Sequence, residues 1–337
     1  MVDWIEVRDM HSRRGHIGLY WYIWAVVLAT LVLMYVGSVV TTKDVGLAVP
    51  DWPLSFGSVN PPGWWEIEGV KWEHGHRLMG AIVGIMVIGL FAWIWIIWEE
   101  TWMRVLGGLA LLGVIIQGLM GGFRVIEIST FLAVVHGCFA QLFLGLLIVL
   151  AALNSPYALA AHSFQDKKRL VRARSTGFIF LAAAFIQIIL GAATRHLKAA
   201  LAIPDFPKSL GQWIPEFINY GVTIHYMHRV WALAVVLIGI GWVVSLFRGE
   251  TRGSGYFRWR GVVVLLLLGV QIWLGAFVVW KLREVLPTTL HVLNGVFLWG
   301  WSVYMVTRLS MVLASLQNGD DRVERGINSS EGVEVMP

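Results

Sequence analysis

Four histidines recur at matching positions in the two halves of the chain, and an imidazole can ligate a metal. In the first half, His76 begins a long apolar run in VKWEHGHRLMG (residues 70–80), and His136 follows in VVHGCFAQLFLG. In the second half, the pair is His228 in IHYMHRVWAL and His291 in LHVLNGVF. Two facing imidazoles could supply both axial ligands of a haem iron. Each could instead only form hydrogen bonds inside a helix bundle.

These histidines are less suited to binding a metal ion that is not part of a haem. Divalent metals usually take three or four clustered protein ligands, often with carboxylates or thiolates. The chain has a single cysteine, Cys138, and it lies in an apolar run. One pair of histidines in each half therefore favours haem over a metal cluster, and a disulfide within the chain is excluded.

An acidic residue accompanies the first histidine only. Glu73 precedes His76 by three residues, so both side chains would project from nearly the same face of a helix. The matching position before His228 is His225. Such an acid could move protons or stabilise positive charge at a reacting carbon. It could also be an acid at a helix start, favoured by the helix dipole.

An arginine follows each of two histidines directly. Arg77 comes after His76 and Arg229 after His228. A guanidinium at this place could pair with a haem propionate through two hydrogen bonds. The alternative is an arginine that extends to the membrane interface.

The chain contains an internal repeat. LAVPDWPLSFG (47–57) and LAIPDFPKSLG (201–211) are identical at seven of eleven positions, at an offset of 154. The same offset relates other pairs of residues: Gly37 with Gly191, Gln117 with Gln271, and Gly121 with Gly275. Repetition of an irregular segment indicates a duplicated structural unit.

The composition predicts an all-α integral membrane protein. Hydrophobic residues make up 57% of the 337 residues and charged residues 14%, with a mean hydropathy of +0.69, which is too apolar for a soluble core with a charged surface. About 20 apolar residues cross a bilayer as a helix. Eight runs reach this length: 17–40, 77–98, 104–121, 130–153, 175–194, 226–247, 261–280 and 288–308.

Eight transmembrane helices and one repeat predict two tandem four-helix bundles. Because four is even, both copies cross the membrane in the same sense, and a pseudo-twofold axis along the membrane normal would relate them. The predicted division is a cytoplasmic amino-terminal segment (1–16), a first half (17–153), a cytoplasmic linker (154–174), a second half (175–308) and a disordered cytoplasmic tail (309–337).

Lysine and arginine set the predicted orientation, since they accumulate in cytoplasmic loops. The segments on the side of both termini hold most of them, including Arg13, Lys167, Arg172 and Arg258. Both termini are therefore predicted to be cytoplasmic, with the histidines near the outer face. The net charge of +5 reflects the basic residues of these cytoplasmic segments, which could contact anionic lipid. No pattern indicates nucleic-acid binding.

As a set, the EHGHRLMG motif, the other three histidine motifs and the duplicated PDWPLSFG and PDFPKSLG loops resemble the haem A synthase family of cytochrome oxidase assembly proteins. The resemblance covers residues from about 20 to 308. It implies an oxidoreductase of the cell inner membrane that oxidises the C8 methyl group of haem O to the formyl group of haem A. Haem O synthase (protohaem farnesyltransferase) and an electron donor or acceptor are the implied partners, and a homo-oligomer is compatible with the family.

The resemblance also implies roles for individual residues. His76 and His136 would flank the substrate haem O, and Glu73 would be the acid required for turnover. His228 and His291 would hold a cofactor haem b. Many bacterial members carry a cysteine pair in the first outer loop, whereas this chain has Val49 and Ser55, so a thiol-assisted step is not expected here.

Two other functional classes remain open from the sequence. A dihaem b-type membrane cytochrome would use the same histidines only to transfer electrons, and Glu73 would then be dispensable. A transporter could also be built from parallel repeats, and it would bind no chromophore.

Overall fold

The computed structural model describes residues 16–157, 166–247 and 254–330, with the side chains of all but residues 16, 254 and 318–330. Across these ranges the regular structure is helical. The eight helices are α1 (His16–Thr42), α2 (Glu68–Ile97), α3 (Thr101–Ile126), α4 (Thr130–Leu153), α5 (Lys167–His196), α6 (Tyr220–Phe247), α7 (Ser254–Trp280) and α8 (Val285–Ser330).

All eight helices are long and apolar enough to cross a membrane, which confirms the predicted fold class. A helix satisfies its own backbone hydrogen bonds, as the hydrocarbon layer requires. Large apolar side chains such as Ile85, Ile96 and Leu233 are exposed on the outside of the bundle, where lipid rather than water is the favourable surrounding. The chain is a multi-pass membrane protein.

The helices pack as two groups of four. In the first group α1 packs against α2, α2 against α3, α3 against α4, and α4 against α1; helices α5 to α8 pack in the same order. The groups meet where α8 contacts α1 and α4, and where α4 contacts α5. Exchanging the two groups leaves this set of contacts unchanged, as duplication predicts. The twofold axis itself stays a prediction.

Helix α8 is the most enclosed of the eight. Two thirds (67%) of its most apolar stretch is buried, against 22–39% in the other helices. The indole Nε1 of Trp299 donates to the carbonyl of Gln141 at 2.8 Å, and buried Arg308 donates to the carbonyl of Tyr157 at 2.5 Å. These contacts join α8 to the first group, so the interface between the groups is a continuous packed core.

The two helices that carry His76 and His228 begin earlier than hydropathy predicts. Helix α2 begins at Glu68 instead of residue 77, and α6 begins at Tyr220 instead of residue 226. Their first turns mix polar and apolar residues, and the long loops 43–67 and 197–219 are hydrogen-bonded to the turns that follow, at Glu73 and His225. His76 and His228 therefore lie about two turns inside their helices, and the prediction that they begin the spans was wrong.

The segments predicted as linker and tail are partly helical. Helix α5 begins at Lys167, within the predicted linker 154–174, because its run of Lys and Arg consists of good helix formers. Helix α8 continues to Ser330. Leu309, Val312 and Leu313 are buried, so apolar packing extends the helix into the segment 309–337 predicted as disordered. Residues 1–15 and 331–337 lie outside the described ranges.

Candidate functional site

All four candidate histidines lie at the end of the bundle where the loops 43–67 and 197–219 connect the helices, here called the loop end. His76 and His228 each lie eight residues after their helix begins, and His136 and His291 each lie six residues after theirs. Each pair occupies diagonal helices of its group, α2 with α4 and α6 with α8. The imidazoles of each pair therefore face across the centre of a bundle at similar depth.

The structure brings the second pair together. The ring centroids of His228 and His291 lie 6.5 Å apart, with the ring planes at 73°. In the first pair, His76 and His136 are within electrostatic range of each other. The histidines that the sequence paired therefore lie ring to ring in the second half and within electrostatic range in the first half, and their role as iron ligands stays a prediction.

A glycine on the neighbouring helix makes room for each imidazole. A Cβ atom on any of these glycines would lie closer to the histidine Cε1 atom than a real Cβ atom normally does, which leaves no space for a larger residue. The distances are 2.8 Å for Gly37 and His76, and 3.1 Å for Gly121 and His136, Gly191 and His228, and Gly275 and His291. The internal repeat aligns these glycines in two pairs, but the sequence gave no sign of their contact with the histidines.

Three of the four imidazoles also contact a glutamine four residues before that glycine. The amide nitrogens lie at 3.3 Å for Gln117 and His136 Nε2, 3.1 Å for Gln187 and His228 Nδ1, and 3.4 Å for Gln271 and His291 Nε2. At the corresponding place beside His76 the chain has Leu33. The spacing Q-x-x-x-G, present as QGLMG, QIILG and QIWLG, is the sequence signal that would have found these residues.

The residues present fit a haem held by two imidazoles. With a metal to imidazole-nitrogen bond of about 2 Å, two rings that share one iron have centroids about 6 Å apart, close to the 6.5 Å between His228 and His291. The Nδ1 atoms of His76, His136 and His291 are buried without a hydrogen-bond partner. Within the described ranges, no three His, Cys, Asp or Glu side chains form a group that could hold a bare metal ion. The donor set therefore matches a two-ligand iron.

Glu73 and Arg77 hold the first long loop (43–67) against α2 by hydrogen bonds, an arrangement called here a clasp. The two Glu73 carboxylate oxygens accept from the backbone N–H of Val49 at 2.8 Å and from Arg77 at 2.9 Å, and the Glu73 side chain is buried. The Arg77 guanidinium also donates to the carbonyls of Val49, Asp51 and Leu54 at 2.9, 2.6 and 2.8 Å. The loop is thus fixed to α2 without a disulfide.

His225 and Arg229 form the matching clasp on the second loop. Two donors flank the His225 ring: the backbone N–H of Ile203 lies 3.3 Å from Nδ1 and Arg229 Nε lies 3.2 Å from Nε2, and a neutral imidazole accepts from one of them. Arg229 also donates to the carbonyls of Ile203, Asp205 and Lys208 at 2.9, 2.8 and 3.0 Å. Both arginines therefore hold loop backbone, and the propionate contact predicted for them stays a prediction.

Val49 and Ser55, which stand where a cysteine pair was expected from the resemblance, are buried positions of the first loop. Val49 is fully buried, and Ser55 is nearly so. The Ser55 hydroxyl lies 2.8 Å from His74 Nδ1, and the His74 ring packs edge-on against Trp64 at 4.8 Å. A polar contact with Ser55 and packing against Trp64 thus join His74 to the loop.

Each loop contains a tight turn closed by an aspartate. Asp51 accepts from the N–H groups of Phe56 and Gly57, both at 2.7 Å, and Asp205 accepts from Leu210 and Gly211 at 2.7 and 2.8 Å. Gly57 and Gly211 have φ of 72° and 78°, a conformation that favours glycine.

The aspartate turns should make stability depend on pH. The N–H of Gly57 lowers the pKa of Asp51 below its ordinary 3.8, opposed by burial and assisted by Phe56 and Arg77. Its stabilisation is therefore present above pH 3.8 and lost as pH falls through the lower folded-state pKa. We expect Asp51→Asn to melt at a lower temperature than the wild type at neutral pH, with the gap closing at strongly acid pH. Thermal unfolding in detergent across pH measures this, and a gap that is constant with pH would contradict it.

Comparison with known proteins places the chain in a family. Residues 19–303 match the COX15-CtaA family, described as cytochrome oxidase assembly protein. A protein of Halalkalibacterium halodurans named "Heme A synthase" is 30% identical over 297 residues, covering 84% of this chain and 94% of its own. A "Heme A synthase" of Methylorubrum populi is 26% identical over 355 residues, covering 86% and 89%.

The family match spans all four histidines and both clasped loops. It extends from the first turns of α1 to the buried part of α8. Coverage of nearly the full length of the relatives excludes a match limited to generic apolar helices. The chain therefore belongs to the COX15-CtaA family of cytochrome oxidase assembly proteins.

Proposed function

We propose that this protein is a haem A synthase, which oxidises the C8 methyl group of haem O to the formyl group of haem A. The single observation that carries the proposal is the duplicated histidine site, in which every imidazole packs against a glycine at the loop end of the bundle. The names of the relatives supply the substrate class. Haem A formation then serves the assembly of cytochrome oxidase.

The two histidine pairs are proposed to hold different haems. Gln187 contacts His228 and Gln271 contacts His291, so each imidazole of the second pair has a glutamine amide beside it, as suits a resident haem b. In the first pair Gln117 contacts His136, whereas His76 has the backbone of Leu33 at the corresponding place. A pair with one fewer glutamine contact suits haem O, which must enter before the reaction and leave after it.

The chemistry is divided between the haem and the chain. When bound, the iron macrocycle supplies the oxidation chemistry. His76 and His136 orient the substrate, and Glu73 keeps a buried negative charge three residues before His76. Converting a methyl group to a formyl group is a four-electron oxidation that also adds one oxygen atom. With water as the oxygen source the electrons pass to an external acceptor, and with dioxygen an external donor supplies electrons; in either case an electron route is needed, and the second pair lies in the adjoining bundle.

The proposed setting is the cell inner membrane, with both termini cytoplasmic and the loop end outside. Basic residues concentrated at the opposite end, such as Lys168, Arg169 and Arg172, support this orientation. Haem O would reach the first site from the lipid, delivered by haem O synthase. An electron donor or acceptor would meet the protein at the loop end.

Haem analysis of a co-expression strain tests the function. The chain is produced together with a source of haem O, and the extracted haems are separated by chromatography. We expect haem A or its hydroxylated precursor, and we expect its loss in His76→Ala. Folded protein that yields only haem B and unchanged haem O would contradict the proposal and favour a membrane cytochrome that only transfers electrons.

A further inference from the structure

Two partly buried arginines at the loop end carry charge without a carboxylate partner. Arg124 lies near the end of α3 and Arg195 near the end of α5. Among the described residues, the ion pairs at this end join Asp44, Glu68 and Glu73 to other basic side chains. Neither Arg124 nor Arg195 is within ion-pair distance of an acid there.

The contacts of these arginines are with neutral groups. Arg195 donates to the carbonyl of Ser38, to the Ser38 hydroxyl at 3.3 Å and to the Thr42 hydroxyl at 2.9 Å. Its Nε atom is buried with no partner. Arg124 donates to the carbonyl of Gly46 at 3.2 Å. The carboxylates that act on them do so only at electrostatic range, Glu73 on Arg124 and Asp44 on Arg195. A buried cation without a hydrogen-bonded counter-charge is costly, so both guanidinium groups are suited to an anionic ligand.

Each arginine lies next to one histidine pair. Arg124 follows Gly121, which packs against His136, by three residues, and Arg195 follows Gly191, which packs against His228, by four. At 1.5 Å per residue, each is about 5 to 6 Å nearer the loop end than the ring beside it. Arg124 is within electrostatic range of His76 and His136, and Arg195 of His291.

We propose that Arg124 and Arg195 are carboxylate-binding residues, each of which takes a propionate group of the haem held by its histidine pair. This inference rests on the proposed function, which supplies a ligand with two carboxylates. It differs from the expectation for Arg77 and Arg229, whose guanidinium groups are engaged by loop carbonyls. Comparison of the repeats could not reveal it, because Arg124 aligns with Val278 and Arg195 with Thr41.

Comparing the binding of haem b with that of its dimethyl ester, which has no free carboxylate, distinguishes propionate binding by the arginines from a purely structural role. Protein purified in neutral detergent from haem-deficient cells is titrated with each probe, and binding is followed by absorbance. The double variant Arg124→Gln, Arg195→Gln should bind free-acid haem b about 10- to 100-fold more weakly than the wild type, since charge-assisted hydrogen bonds are lost. Its affinity for the ester should change less than about threefold. The Arg→Lys variants should recover part of the free-acid affinity.

A matched control is Lys198→Gln, which removes an exposed positive charge at the same end of the bundle and should leave both affinities unchanged. Equal weakening of the acid and the ester in the double variant would show a structural role and overturn the inference. Equal affinity of the wild type for both probes would also overturn it, and would be expected if an anionic lipid headgroup occupied the arginines. Failure of the wild type to bind either probe would instead refute the proposed function.

Discussion

Replacing Gly275 by leucine should abolish haem binding by the second histidine pair. A Cβ atom at this position would lie 3.1 Å from Cε1 of His291, and the rest of a leucine side chain would occupy the volume of the ring. Both α7 and α8 are packed helices, so the imidazole must rotate away from the centre of the bundle. We expect the absorbance typical of iron with two imidazole ligands to fall by about one haem per chain.

The same helix supplies the control for this substitution. Gly269 has nothing within 4 Å of its Cβ position, so Gly269→Leu adds the same side chain to α7 in open space and should keep the full haem content. The first half offers a similar comparison between Gly121→Leu and Gly118→Leu, because a Cβ on Gly121 would meet His136 at 3.1 Å and one on Gly118 would meet nothing. Full haem content in Gly275→Leu, or equal loss in Gly269→Leu, would contradict the role of the glycine.

The membrane helices and the histidine positions could be predicted from the sequence for separate physical reasons. A bilayer imposes a minimum length of apolar residues, so hydropathy alone finds all eight helices. A histidine is costly in such a segment, and its recurrence in both copies marks His76, His136, His228 and His291 as candidates. These signals are local in the sequence or repeated at a fixed offset.

The contacts around the histidines could not be predicted in the same way, because they join different helices. Nothing in the sequence near Gly37 indicates that it packs against His76, or that Leu33 stands where the other helices have glutamine. Helix starts were also misplaced: hydropathy ends a span where polar residues begin, whereas the clasped loops allow α2 to start at Glu68. The sequence suggested a propionate partner for Arg77, which stays a prediction, but it gave no sign of the hydrogen bonds from Arg77 to loop carbonyls more than 20 residues away.

The second large effect is expected at Glu73, where Glu73→Gln should lower haem A formation by about 100-fold or more, the usual contribution of an acid or base placed at a reaction. The carboxylate is 4% exposed and accepts from both Val49 N–H and Arg77. Glutamine keeps the shape and one carbonyl oxygen that can accept from Val49, but it removes the charge. Haem A yield in the co-expression strain and haem content by absorbance are measured together.

A loss of activity in Glu73→Gln has two physical explanations, and the resistance of loop 43–67 to proteolysis distinguishes them. If the charge serves the reaction, haem content and resistance of loop 43–67 to proteolysis should stay near the wild-type level while haem A disappears. If Glu73 serves only the clasp, the loop should become sensitive to protease at the same time as activity falls. His225→Gln gives the comparison, because His225 holds loop 197–219 through Ile203 N–H and Arg229 with no acid present. Retention of full haem A synthesis in Glu73→Gln would exclude a role for the charge, and the asymmetry between Glu73 and His225 would then be structural.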